Sequence, residues 1–163
     1  MVPVIYIKDK QAFSKSGGTL KLLGPAVETI KKLSQKYELF HIIDLDLKKG
    51  NLTNFDVYDK LTYSTHIEVE CEKEEIVERL LGINARAVIE LPSQMNLDKF
   101  NKKLLVGVVR DKDIDVSKVN DVIIENAEKD VISYYQNKGK RIMLREDKWD
   151  KKTKVWAVIL TAP

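Results

Sequence analysis

The chain has 163 residues, which is enough for one well-buried core and short for two ordinary domains. Apolar residues make up 44% and charged residues 33%, so the composition is that of a folded chain and excludes intrinsic disorder. The net charge of +3 is small and is spread along the chain, which argues against a nucleic-acid-binding protein. We therefore expect one domain over residues 1–163.

Cysteine content and hydropathy indicate the cellular compartment in which the protein is expected. Cys71 is the only cysteine, which excludes an internal disulfide and a cysteine-based metal site. No apolar run approaches the ~20 residues that cross a membrane, and the N-terminus lacks the pattern of a secretory signal. We expect a cytoplasmic protein that has no membrane contact, metal or cofactor. Richness in Lys and Glu is typical of thermophile proteins.

The predicted elements alternate between short apolar strands and helices. The first strand is Val2–Ile7, followed by a flexible loop at Gly17-Gly18 and a helix that begins near Pro25. The next elements in chain order are strand Leu39–Leu45, helix Asn54–Leu61, strand Thr65–Cys71, helix Glu74–Leu81, strand Ala85–Leu91, one or two helical turns at Asn96–Phe100, strand Leu104–Val109, strand Asp121–Glu125, helix Ala127–Asn137, strand Lys140–Leu144 and strand Val155–Thr161.

Eight strands with about five intervening helices predict an α/β fold with a parallel sheet. Eight such units indicate a TIM-like (β/α)₈ barrel, which ordinarily needs at least ~200 residues. We therefore expect a reduced barrel with several helices shortened or missing, chiefly after the fifth, seventh and eighth strands. Barrel wall left uncovered is apolar and predicts a homodimer that hides it.

Three segments near the N-terminus carry a family resemblance. The segment Gly24–Glu28 that leads to Leu39–Asp46 is similar to the second-strand signature of the histidine-biosynthesis (β/α) barrels. That family includes the ribonucleotide Amadori isomerase and the imidazole-glycerol-phosphate cyclase. Pro3–Asp9 resembles the family's first strand, and His66–Val69 resembles its third.

The resemblance implies two catalytic aspartates, one ending the first strand and one ending the fifth, which act as general acid and general base. Tyr6 and Val108 occupy the corresponding positions here. Valine cannot transfer a proton, and tyrosine, with an ordinary pKa near ~10, is a poor substitute for a carboxylate. The resemblance therefore implies that the family's acid–base pair is lost.

The family's phosphate-binding glycines are also replaced. The resemblance implies glycine-rich ends after the third, fourth, seventh and eighth strands, because backbone amides must approach the phosphate closely. In this chain those ends read Glu70-Cys71-Glu72, Glu90-Leu91-Pro92, Arg145-Glu146-Asp147 and Leu160-Thr161-Ala162-Pro163. Carboxylates near a phosphate repel it, so we expect no bisphosphate substrate.

Six charged residues are predicted at the C-terminal ends of strands, where barrel sites are assembled. They are Asp44, Glu70, Glu90, Arg110, Glu125 and Arg145. One interpretation is a remodelled site for a small cationic ligand or a hard metal held by carboxylates. The other, which we favour, is an ion-pair network that fills the mouth of the barrel, because acids and bases both occur.

Three further residues are interpreted as structural. His41 and His66 are predicted at the beginnings of their strands, far from the C-terminal ends. Cys71 is flanked by two acids, which raises the pKa of a thiol, and is interpreted as a buried apolar residue.

The favoured function is a non-catalytic or repurposed paralogue of the histidine-biosynthesis isomerases that binds a small ligand or a protein partner. The alternative is a working aldose–ketose isomerase of the Amadori type, acting on a phosphorylated ribonucleotide. A nucleic-acid-associated module is a third interpretation, which predicts steeply salt-dependent binding.

Overall fold

A computed structural model describes residues 1–163 as an α/β fold built on a closed barrel of eight parallel strands. The ten strands are β1 (Val2–Lys8), β2 (Gln11–Ser16), β3 (Thr19–Pro25), β4 (Leu39–Asp44), β5 (His66–Glu70), β6 (Arg86–Glu90), β7 (Leu105–Val109), β8 (Asp121–Ile124), β9 (Arg141–Arg145) and β10 (Ala157–Leu160). The four α-helices are α1 (Ala26–Leu33), α2 (Phe55–Leu61), α3 (Glu74–Gly82) and α4 (Lys129–Asn137). The predicted parallel strands are confirmed. The α-helices are seven to nine residues long, and none has the length and hydropathy of a membrane span.

The barrel consists of β1 and β4–β10, each paired in parallel with its neighbours. It closes where Val2 of β1 pairs with Ile159 of β10 and Pro3 pairs with Leu160. Above this pairing β10 ends, and β2 takes its place beside β1 in the antiparallel direction.

Strands β2 and β3 form a hairpin that the sequence did not predict. Gly17 and Gly18 have φ angles of +54° and +81° and connect the paired residues Ser16 and Thr19. Two positive φ angles are what a two-residue hairpin turn of type I′ requires. The predicted flexible loop is therefore wrong. The hairpin was missed because β3 has no buried side chain and so lacks the alternation that marks a half-buried strand.

The barrel wall is covered by loops where helices are missing. Residues 96–100 contain no helix, so there are four α-helices instead of about five, and the connections after β6, β7 and β9 contain only short 3₁₀ turns or irregular chain. Leu97, Val116 and Val119 from two of these loops are buried in the core. At Gly107 of β7, an added Cβ would lie 2.5 Å from Leu91 Cδ1, so the loop packs directly on the strand. The expectation that part of the apolar barrel wall is uncovered is therefore wrong.

Two apolar clusters stabilise the barrel from its two sides. The larger has 33 buried residues and lies between the strands and the outer helices and loops. The smaller has 10 buried residues and fills the inside of the barrel. Because strand side chains alternate between faces, every second residue of each strand points inward. This alternation also brings a set of charged residues inside.

Candidate functional site

A cleft of about 810 Å³ opens at the C-terminal mouth of the barrel, the end where the parallel strands finish. This is the face that carries the active site in TIM-barrel enzymes. Its charged lining consists of five acids, Glu70, Glu72, Glu75, Glu90 and Glu125, and five bases, Lys48, Lys49, Lys73, Arg79 and Arg145. The cleft is therefore strongly polar without a formal net charge.

The acids at the strand ends are paired with bases of this chain. Glu125 lies 3.3 Å from Arg145 Nη2, and both side chains are about one-third exposed. Glu90 lies 3.4 Å from Arg110 Nη2, and this pair is about three-quarters exposed. The structure thus brings together five of the six predicted rim residues, in the ion-paired arrangement that the sequence analysis favours.

His41 lies inside the barrel and connects two carboxylates. Its Nδ1 is 2.8 Å from Glu68 Oε1, and its Nε2 is 3.0 Å from Glu70 Oε1. Burial disfavours the charged imidazolium, but the hydrogen bonds and charges of the two glutamates outweigh it and raise the pKa of His41 to about 9. The prediction that His41 lies far from the C-terminal mouth is wrong, since its ring reaches a residue of the cleft. His66 is exposed at the start of β5.

Of the three hydrogen-bonded residues His41, Glu68 and Glu70, only Glu70 lines the cleft. Burial favours its neutral acid, but His41, Lys48 and Arg145 outweigh burial and hold the pKa of Glu70 below its usual value. Its second oxygen, Oε2, lies 3.7 Å from Lys48 Nζ, which is too long for a hydrogen bond. Glu70 therefore presents an ionised oxygen that a ligand can reach.

Tyr6 and Val108, at the positions that the family resemblance assigns to acid and base, both pack against the interior cluster of the barrel. Val108 also lines the cleft. Burial and the nearby Glu70 charge raise the pKa of Tyr6 above its ordinary value, against the opposing effect of Arg145. Neither side chain can exchange a proton near neutral pH.

Asp44, the sixth predicted rim residue, does not face the cleft. Its Oδ1 accepts hydrogen bonds from the amides of Asp46 and Leu47 and from Asn54 Nδ2, each at 2.9 Å. Its Oδ2 accepts from the Tyr58 hydroxyl at 2.6 Å. The prediction was wrong because neighbouring strand residues point to opposite faces, and Asp44 points to the helix side. It is a structural residue that holds the loop after β4.

A second set of charges lies inside the barrel near its N-terminal end. We call Glu68, Arg86, Asp121 and Arg141 the buried charge layer; the first three are buried, and Arg141, whose side chain is 43% exposed, lies between them and the solvent. Arg141 donates two hydrogen bonds to Asp121, at 2.6 and 2.8 Å, and Arg86 contacts both Asp121 and Glu68. The Trp156 ring covers Arg141, with 3.9 Å between guanidinium carbon and ring centroid. Sequence reasoning missed this layer, although each member is a charged residue at an inward position of an apolar strand.

Cys71 is buried, as predicted. Burial, Glu70 and Glu72 raise its pKa to about 12, so the thiol is not a nucleophile at neutral pH.

No group of three or more His, Cys, Asp or Glu side chains is arranged to share a metal ion. The carboxylates of the cleft therefore give no support to the hard-metal interpretation.

Comparison with known proteins assigns no family. No family model matches the chain, and no curated protein matches it significantly.

Proposed function

We propose that this chain is a non-catalytic relative of the histidine-biosynthesis barrels that binds a small polar molecule of no net charge in the cleft at the C-terminal mouth. The observation that carries the proposal is the balance of five acids and five bases around that cleft. The acids at the strand ends each lie within 4 Å of a basic side chain. Support for the family relationship comes from the three N-terminal segments and the eight-stranded barrel.

The lack of an acid–base pair at the two positions that the family resemblance assigns to catalysis supports a binding role. General acid–base catalysis needs groups whose pKa lies near the working pH. Glu70 has a lowered pKa, Tyr6 a raised one and Val108 none at all. The isomerase alternative therefore finds no proton-transfer pair at the positions that the family resemblance assigns to it.

Charge balance determines what kind of ligand fits. A phosphate dianion gains from the bases but is repelled by carboxylates a few ångströms away, and the two effects oppose each other. A neutral molecule with several hydroxyl groups can donate to carboxylates and accept from Arg145 and lysines without such opposition. Its affinity should depend little on salt, because no net charge is neutralised on binding.

The test is a titration followed by amide NMR, with myo-inositol as a neutral probe, at low and high salt. We expect shifts confined to the cleft, with an affinity that is the same at both salt concentrations. The variant Glu70→Gln should weaken binding, whereas Glu28→Gln, the same change at an exposed site on α1, should not. Shifts spread over the whole surface, or none at the cleft, would contradict the proposal.

Catalysis is tested by expressing the chain in a histidine auxotroph that lacks the isomerase. We expect no growth without histidine, because the acid–base pair is missing. Growth would overturn the non-catalytic assignment and favour the isomerase alternative.

A homodimer is a further proposal, but its support differs from what the sequence suggested. The barrel wall is covered, and exposed apolar side chains lie instead on the edge strand β3, at Leu20, Leu22 and Leu23. An unpaired edge with apolar side chains favours association. The molar mass from light scattering at micromolar concentration tests it: we expect twice the 18.7 kDa of one chain, and a smaller mass for Leu22→Lys.

A further inference from the structure

We infer that Glu70 is the residue that anchors the ligand in the cleft, that His41 positions Glu70 from inside the barrel, and that the anchored group of the ligand is a hydroxyl. This inference rests on the proposed function and specifies the contact that selects the ligand. The two residues and Glu68 form a hydrogen-bonded chain, which we call the relay.

One end of the relay is buried inside the barrel, and the other end is exposed in the cleft. The side chains of His41 and Glu68 are fully buried, while that of Glu70 is 26% exposed. Glu70 Oε1 is occupied by His41 Nε2 at 3.0 Å, and Oε2 has no hydrogen-bond donor from this chain. The relay therefore fixes one oxygen of Glu70 and leaves the other for a ligand.

His41 can hold Glu70 only because Glu68 holds His41 from behind. Glu68 Oε1 is 2.8 Å from His41 Nδ1, and its Oε2 is 3.5 Å from Arg86 Nη1. With a carboxylate on each ring nitrogen, both nitrogens act as donors and the ring cannot turn without losing both bonds. The charged or titratable groups around the relay are Tyr6 on β1, Lys48 after β4, Arg86 on β6, Asp121 on β8 and Arg141 and Arg145 on β9.

A fixed carboxylate of this kind distinguishes ligand groups that donate a hydrogen bond from ligand groups that carry a negative charge. A ligand hydroxyl that donates to Glu70 Oε2 forms a charge-assisted hydrogen bond and brings no opposing charge. A phosphate or carboxylate at the same place meets a like charge at contact distance. Glu70 therefore selects a hydroxyl group over an anionic one at the floor of the cleft.

The positioning of Glu70 by His41 is tested without any ligand. The experiment follows the Glu70 side-chain carboxyl through a pH titration by carbon-detected NMR. We expect the Glu70 pKa to lie below its ordinary value in the wild type and to rise in His41→Gln, because burial is then no longer opposed by the imidazolium. Arg110→Gln, which removes a charge from the same mouth outside the relay, is the control and should leave the Glu70 pKa unchanged.

His41 itself provides a measurement that needs no variant. Nitrogen chemical shifts of the wild-type imidazole should show protons on both ring nitrogens at pH 7.5. A neutral ring with one protonated nitrogen at that pH would overturn the relay, even if His41→Gln fails to fold.

The anchoring of a ligand hydroxyl by Glu70 is tested with two probes, myo-inositol and myo-inositol 1-phosphate, which differ by one phosphate. Each probe is titrated into the wild type and into Glu70→Gln. We expect the wild type to prefer the neutral probe and Glu70→Gln to bind it about tenfold more weakly, with the preference reduced. Equal binding of both probes by the wild type, or a preference that survives Glu70→Gln, would overturn the anchoring role. Failure of myo-inositol to bind at all removes the proposed function as well, whereas an unmoved Glu70 pKa in His41→Gln removes only the positioning role of His41.

Discussion

The two ends of the barrel interior carry the same kinds of charged side chains but differ in their access to water. In the buried charge layer, Arg86 and Asp121 are at most 9% exposed, and Trp156 covers the Arg141 beside them. At the C-terminal mouth, Glu90 and Arg110 are about 75% exposed. A desolvated ion pair cannot lose one partner without leaving an uncompensated charge, while an exposed pair exchanges its partner for water. Burial, more than residue type, therefore separates the structural charges of this barrel from those available to a ligand.

His41 joins the two ends. It accommodates a carboxylate of the buried charge layer on one nitrogen and a carboxylate of the cleft on the other. Changes at this residue should therefore affect both stability and the properties of the cleft.

The largest expected effect comes from Arg86→Met. Removing this guanidinium leaves Glu68 and Asp121 short of a partner inside the barrel, which should reduce the free energy of unfolding by about 3–5 kcal/mol. Arg110→Met makes the same change at the exposed mouth and should cost less than about 1 kcal/mol. Urea denaturation of both variants measures the difference, and equal losses would contradict the distinction between the two ends.

The next effect concerns the pH dependence of stability through His41. Its pKa is raised from 6.5 to about 9 on folding, so the folded chain holds this proton more tightly than the unfolded one. The resulting stabilisation is fully present below pH 6.5 and is lost as the pH rises through about 9, by an amount on the order of 3 kcal/mol.

Urea denaturation at intervals between pH 6 and pH 9.5 measures this loss. His41→Gln, which cannot be protonated, supplies the background slope of all other groups. A wild-type curve parallel to that of His41→Gln would show that the imidazole does not gain its proton affinity on folding.

A smaller effect is expected at the cover of the buried charge layer. Trp156 is 43% exposed, and its ring lies 3.9 Å from the Arg141 guanidinium carbon and 5.7 Å from that of Arg86. Trp156→Ala should cost about 1 kcal/mol through the lost cation–π contact, and Trp156→Phe should restore part of it. The melting temperatures of the two variants provide the measurement, and identical values would argue against a covering role.

The smallest effect is expected for Glu90→Gln at the mouth. This residue and Arg110 are well exposed, so the free energy of unfolding should change by less than about 0.5 kcal/mol. The same substitution at Glu68, which is fully buried against His41 and Arg86, should be clearly more destabilising. Comparable losses at the two glutamates would remove the basis of the comparison.

Much of the architecture could be predicted from local pattern. The strands around Ile42, Val88 and Val122 are rich in apolar residues and have buried residues on both faces, as expected for parallel strands covered on both sides. The β2–β3 hairpin could not be recognised in the same way, because its side chains are largely exposed. Gly17-Gly18 was its one available signal, and its meaning depends on the register of the strands on either side.

The candidate site was predicted in part. Glu70, Glu90 and Glu125 lie at the mouth because parallel strands all end at the same rim. Asp44 ends a strand as well, but its side chain points to the opposite face, where it binds the loop amides and Tyr58. His41 was misplaced because its importance depends on two glutamates of the neighbouring strand, which lie 27 and 29 residues away in sequence.

The eight parallel strands, the four helices and the charged residues at the strand ends follow from local propensity and residue identity, and the amino-acid sequence indicates them without the fold. Tertiary structure decided which charges meet. Arg86 of β6 contacts Asp121 of β8 across the barrel interior, although β7 lies between these strands in the sheet. Closure of the sheet creates that interior, and only closure decides that Glu68, Arg86 and Asp121 are buried while other charged residues surround an open cleft.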